Sequence, residues 1–193
     1  MLTDRPPSNS SMLAQFLASD RLCQMDLPLD NRLRERATFI ECAMREQTRS
    51  AMLRGCSEFL KTASDFYGVD TPEVRILAAR PLRGREGSST ELFADYWPAT
   101  MLIRIWSRTA VRKQVTSFGT FLSTLCHEFC HHLDCQRLGF GKSPHTRGFY
   151  ERTAVLYHHA RGTPPKRLFW VRLPRGRWRI DWSRMNREAS RAP

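Results

Sequence analysis

The chain has 193 residues, 41% apolar and 26% charged, a balance that suits a soluble globular protein with a sizeable core and excludes a disordered one. No apolar run approaches the roughly eighteen residues of a bilayer span, and MLTDRPPSNSS lacks the apolar stretch of a secretory signal, so the expected compartment is the cytoplasm, with no membrane partner. The formal net charge of +12 is uneven: residues 161–193 carry ten Lys or Arg against Asp181 and Glu188, a net of +8.

In chain order, residues 1–11 are polar with Pro6-Pro7 and read as a loose tail. Met12, Leu13, Phe16, Leu17 and Leu22 predict a short amphipathic helix closed by Pro28. From Asp30 to Tyr67 the pattern predicts one long helix or two in tandem. One apolar stripe runs through Leu33, Ala37, Ile40, Ala43 and Met44, and a second through Met52, Leu53, Cys56, Phe59, Leu60, Ala63 and Phe66, with Gly68 as the stop.

The periodicity then changes. Residues 72–77 are strand-like, 81–90 read as a Gly/Ser/Arg-rich loop, and 92–97 form a second candidate strand. Met101-Leu102-Ile103-Arg104-Ile105-Trp106 is the strongest strand pattern in the chain. Lying directly ahead of the next helix, it is either an edge strand able to pair with an extended peptide or a core strand supporting that helix. Arg108, Arg112 and Lys113 are either solvated loop charges or a preference for acidic groups.

The next helix carries the chemistry. Phe121, Leu122, Leu125, Phe129 and Leu133 give it a buried face, with Thr116 or Ser117 as N-cap and Gly139 and Gly141 beyond its end. It contains His127-Glu128-Phe129-Cys130-His131, an HExxH motif. Residues four apart on a helix differ by about 40° around the axis, so both histidines share one face and can bind one ion. Glu128 projects beside them, where it can act as general base toward a water that the ion has acidified. His132 is rotated by about 100° from His131 and is not expected to ligate. Asp134 is either an acceptor for a ligand imidazole or a solvent-facing carboxylate.

A catalytic zinc needs a third protein ligand and an open fourth position. His145 follows His131 with thirteen residues between, and Glu151 with nineteen. His145 is favoured because it follows Pro144 at the start of the next predicted helix, where it can point back while Phe149 docks in the core. That helix, residues 149–160, also carries Tyr150, Arg152, Tyr157, His158 and His159, and Tyr157 is preferred among them for stabilising an oxyanion. Six cysteines (Cys23, Cys42, Cys56, Cys126, Cys130, Cys135) sit singly on predicted helices and read as reduced thiols. Cys126 and Cys130 face away from the histidines and are taken as small buried residues.

With HExxH followed by His145-Thr146-Arg147-Gly148-Phe149, the chain resembles the SprT-like zinc metallopeptidases, whose third histidine lies in an H-x-x-x-F segment. The resemblance covers about residues 35–160. It implies zinc on His127, His131 and His145, with Glu128 as catalytic base. SprT-like proteins often end in a zinc ribbon built from CxxC pairs, and this chain contains no CxxC.

Beyond Gly162-Thr163-Pro164-Pro165, residues 167–182 predict a β-hairpin and Arg187 onward a basic tail. The expected organisation is a tail and short helix over 1–29, an α+β zincin-like domain over 30–162, and a basic, Trp-rich extension over 163–193. The expected function is zinc-dependent peptide hydrolysis. The alternative is a nucleic-acid-associated protein whose zinc is mainly structural, or a protease recruited to DNA by its basic C-terminus, since Arg and aromatics together serve phosphate contact and base stacking. The rival reading of Trp170, Trp178 and Trp182 is that they close the core.

Overall fold

The computed structural model describes residues 1–85 and 88–189. Helix α1 (Ser10–Arg21) starts where the Asn9 side chain accepts a hydrogen bond from the Met12 amide at 3.1 Å. The long apolar pattern resolves into two helices, α2 (Arg32–Arg45) and α3 (Arg49–Tyr67). Between them Gln47 takes a positive φ of 54° and reverses the chain. The two apolar stripes face each other, and Gly55 lets the helices close: a Cβ there would lie 2.8 Å from the Phe39 ring. Gly68, with φ +63°, ends α3 in the left-handed conformation.

Strands β1 (Glu73–Ala79), β4 (Ala94–Trp97) and β5 (Leu102–Arg108) form a sheet in the order β1-β5-β4, with β5 parallel to β1 and antiparallel to β4. The sheet settles the role of β5. It is the central strand, with Ile103 and Ile105 fully buried, and the edges are β1 and the shorter β4. The expected loop over 81–90 also differs: β2 (Leu82–Arg85) and β3 (Ser88–Glu91) pair as a hairpin. Arg80 anchors its base, buried against Glu91 at 2.9 Å and Thr116 at 2.7 Å.

Helix α4 (Phe118–Leu133) is capped by Ser117, which accepts from the Thr120 amide, and it buries Phe121, Leu122, Leu125, Phe129 and Leu133 in the core. It runs into one π-helical turn (Asp134–Leu138), closed by Gly139. Helix α5 (Arg147–Arg161) packs against α4, α2 and α1. Gly148 makes the contact with α1 possible, since a Cβ at that position would fall 2.7 Å from the Leu22 carbonyl.

The last segment holds β6 (Trp170–Leu173), β7 (Arg177–Ile180) and α6 (Trp182–Ala189), with β6 and β7 paired as a hairpin. Leu168 and Ile180 join the main core, with Trp170 and Met185 packed against it. Trp182 is exposed. Arg187 to Ala189 belong to α6, and the rest of the expected basic tail lies outside the described residues.

The first residues are not a loose tail. Leu2 bridges to Arg179, and Thr3 exchanges hydrogen bonds with Trp178, its amide donating to the Trp178 carbonyl and its hydroxyl accepting from the Trp178 amide. The N-terminal segment thus lies along the free side of β7. The whole is a mixed α+β fold. No helix among the described residues is long and apolar enough to cross a membrane.

Candidate metal centre

The ring nitrogens of His127, His131 and His145 meet at one point. His131 Nε2 lies 3.1 Å from His127 Nε2, and His145 Nε2 lies 3.3 Å from it. Among the described residues this is the one group of three or more His, Cys, Asp or Glu side chains placed to share an ion. Its first two members come from adjacent turns of α4. The third comes from the loop ahead of α5, returned to α4 by the turn at Gly139 and by Thr146, whose buried hydroxyl caps α5 and accepts from the Phe149 amide.

Phe149 forms the floor of the cluster. Its ring stacks on His131 at 4.4 Å between centroids and meets the edge of His127 at 4.9 Å. Tyr150 stacks on His145 at 5.8 Å, with the rings within 16° of parallel. These apolar surroundings disfavour charged imidazoles. Burial, with the nearby His145 as a second cause, pushes the pKa of His127 down to about 3. That of His131 falls well below the ordinary value, again chiefly through burial. Neutral rings present lone pairs. Two or three lone pairs aimed at one point repel each other unless a cation sits between them, so the donor set fits a metal ion.

Glu128 lies beside the cluster and is buried. Burial, reinforced by the charge of Asp95, pushes its carboxyl up to about 8. A nearby cation acts in the opposite direction and favours the carboxylate.

The histidines and Glu128 open onto a cleft of about 910 Å³. One wall is β4 with the residues just before it, and the other is the α4 face of Gly119, Ser123 and Thr124 together with Tyr157. The β4 edge is fixed to α4 by His132. Its Nε2 lies 2.7 Å from the Asp70 carbonyl, which can only accept, so Nδ1 is the acceptor for the Tyr96 hydroxyl at 2.9 Å. His132 is therefore a fully buried strut and not a ligand.

Several candidate residues lie elsewhere. Glu151 accepts from the Trp170 indole at 2.9 Å and takes no part in the cluster. Asp134 is neither solvent-facing nor bonded to a ligand imidazole. It is buried in an ion pair with Arg152, whose Nη2 donates to both carboxylate oxygens at 2.8 and 2.9 Å. Arg152 is buried too and also donates to the Ser19 and Leu22 carbonyls, so its guanidinium is unavailable to the cleft. The Tyr150 hydroxyl donates to the Leu2 carbonyl, whereas Tyr157 lines the cleft. Cys126 and Cys130 are buried free thiols outside the cluster, and Cys135 lines the cleft without joining it.

Asp4 is the site residue that the sequence did not reveal. Its Oδ2 lies 3.3 Å from His145 Nδ1, on the side of the ring away from the cluster, and its amide donates to the His145 carbonyl at 2.8 Å. The only local signal is Leu2-Thr3, a short strand-like dipeptide ahead of two prolines. Comparison of the chain with protein-family models, with curated proteins and with solved structures gave no match.

Proposed function

We propose that the chain is a zinc metallopeptidase with a zincin-like, SprT-like domain, hydrolysing peptide bonds in the cleft between β4 and α4. The observation that carries this reading is the convergence of three imidazole nitrogens beside one buried carboxyl group, at the foot of a strand edge. Nitrogens bound to a tetrahedral zinc at 2.0–2.1 Å lie about 3.3 Å apart, a spacing that the observed 3.1 and 3.3 Å support. Three histidine ligands also leave the fourth position open, as a catalytic site requires. When bound, the ion would supply Lewis-acid polarisation of a carbonyl and acidify a water.

The chain's own residues supply the remainder. Just ahead of β4, the Phe93 carbonyl accepts from the Trp106 amide of β5 at 3.0 Å. By alternation, Ala94 and Tyr96 turn their amides and carbonyls toward the open edge. An extended peptide pairing with that edge is laid across the histidines. Glu128 takes a proton from the attacking water as the carbon–oxygen bond forms. It returns that proton to the amine nitrogen as the carbon–nitrogen bond breaks. Tyr157 is the free hydroxyl best placed to donate to the developing oxyanion, because Tyr150 and Arg152 are committed elsewhere.

The alternative, a nucleic-acid-associated protein with a structural metal, rests on the basic C-terminal segment. Three of its rings are engaged within the protein, with Arg147 over Trp178 at 4.4 Å, Arg184 over Phe169 at 4.0 Å and Trp170 packed on the core, while Trp182 is exposed. Those contacts favour packing over base stacking. A purely structural zinc would also gain nothing from a buried carboxylate or an open ligand position.

Glu128→Gln tests the reading, because it keeps the size of the side chain and removes the base. At equal zinc content, cleavage of casein or of the chain itself should fall by about two to four orders of magnitude. Equal cleavage by the variant and an active wild type would overturn the mechanism.

A further inference from the structure

We infer that Asp4 is a positioning residue of the metal site, holding His145 in the orientation and tautomer that present Nε2 to the ion. The inference rests on the three-histidine reading and extends it to a residue 141 positions away in sequence. The three rings differ in how they are held. His127 and His131 are fixed by the helical backbone, whereas His145 sits in the loop between the π-helical turn and α5. A loop ligand needs its orientation from side-chain contacts.

Tyr150 supplies the stacking surface for the His145 ring, and Asp4 supplies the polar partner. Of the carboxylates among the described residues, Asp4 alone comes within 4 Å of a ring nitrogen in the cluster. A carboxylate at Nδ1 requires the proton to be there, which leaves the Nε2 lone pair for the metal and raises its basicity.

Asp4 is itself held at several points. Its amide donates to the His145 carbonyl, so backbone and side chain grip the same residue. The preceding residues are tied down by the Leu2–Arg179 bridge, by the paired hydrogen bonds between Thr3 and Trp178, by Arg177 Nε donating to the Thr3 carbonyl, and by the Tyr150 hydroxyl donating to the Leu2 carbonyl. The N-terminal segment is thereby a strap from the C-terminal hairpin to the third ligand.

The test uses the full chain with zinc as the probe, measuring affinity by competition with a chelator. Thermal unfolding of the zinc-free proteins is recorded in parallel. Asp4→Ala should weaken zinc binding by about 10–100-fold, the usual effect of removing a partner that orients a ligand. Asp4→Asn keeps an acceptor without the charge and should fall between Asp4→Ala and the wild type. Both variants should keep the unfolding midpoint of the zinc-free wild type. Unchanged zinc affinity in Asp4→Ala would overturn the inference. So would a loss of affinity matched by an equal loss of stability in the zinc-free protein, since that marks a merely structural contact. A wild-type chain that binds no zinc would instead overturn the three-histidine reading.

Discussion

His127 and His131 owe their placement to the four-residue helical spacing, and Phe149 then locks both rings from below, stacked on one and edge-on to the other. His145 and Glu151 illustrate how different two candidate ligands become once folded. The His145 ring reaches the cluster, while Glu151 is turned to the indole of Trp170. Replacing His145 by Ala removes one of three protein bonds to the ion, and zinc affinity should fall by more than the roughly 100-fold upper range for loss of an orienting partner. Glu151→Ala should leave zinc affinity at the wild-type value and cost about 1 kcal/mol of stability from the lost indole hydrogen bond. Chelator competition and denaturant unfolding of the two variants check both statements. His145 was legible before folding because Pro144 and the H-x-x-x-F spacing mark it locally. Asp4 was not, because nothing in a single aspartate beside Pro6-Pro7 signals a partner so far along the chain.

Among the elements, α1, α5 and the π-helical turn are joined by one buried group. Arg152 bonds both Asp134 oxygens and the carbonyls of Ser19 and Leu22, so it neutralises a buried carboxylate and also terminates α1. Arg152→Met keeps the bulk but leaves Asp134 buried and unpaired. It should destabilise the fold by about 3–5 kcal/mol in denaturant unfolding. Adding Asp134→Asn should restore part of that loss, because the two groups are directly coupled. The helices themselves were readable from apolar stripes at three- and four-residue spacing and from stops such as Gly68. Strand order was not. The β-branched, aromatic character of β5 made it the strongest strand pattern and left open whether it was an edge or a core strand. In the fold that same character suits a strand paired on both sides. The short, mixed Ala94–Trp97 gives no local hint that it forms the open edge over the cleft, since strand order depends on pairing partners remote in sequence. The 81–90 segment reads as loop by composition, yet Leu82–Arg85 pairs residue by residue with Ser88–Glu91, anchored by the buried Arg80.

On the scale of the whole molecule, the centre draws on segments from nearly the full length of the chain. Asp4 comes from the N-terminal strap, the strand edge from β4, two of the clustered histidines and Glu128 from α4, the third histidine from the loop before α5, and Tyr157 from α5 itself. The C-terminal segment closes the core through Leu168 and Ile180, and its hairpin clamps the strap that reaches His145. Its charge excess was plain in composition, but this mechanical role depends on contacts that composition cannot carry. What surrounds the bound ion distinguishes an open three-histidine centre from every other arrangement. X-ray absorption at the zinc edge, on the full chain loaded with one equivalent of zinc, reads that environment directly. It should find three imidazole nitrogens and one further light atom at about 2.0–2.1 Å, with no sulfur. Sulfur scattering near 2.3 Å, which would bring in Cys126, Cys130 or Cys135, or a closed site without the fourth light atom, would contradict it.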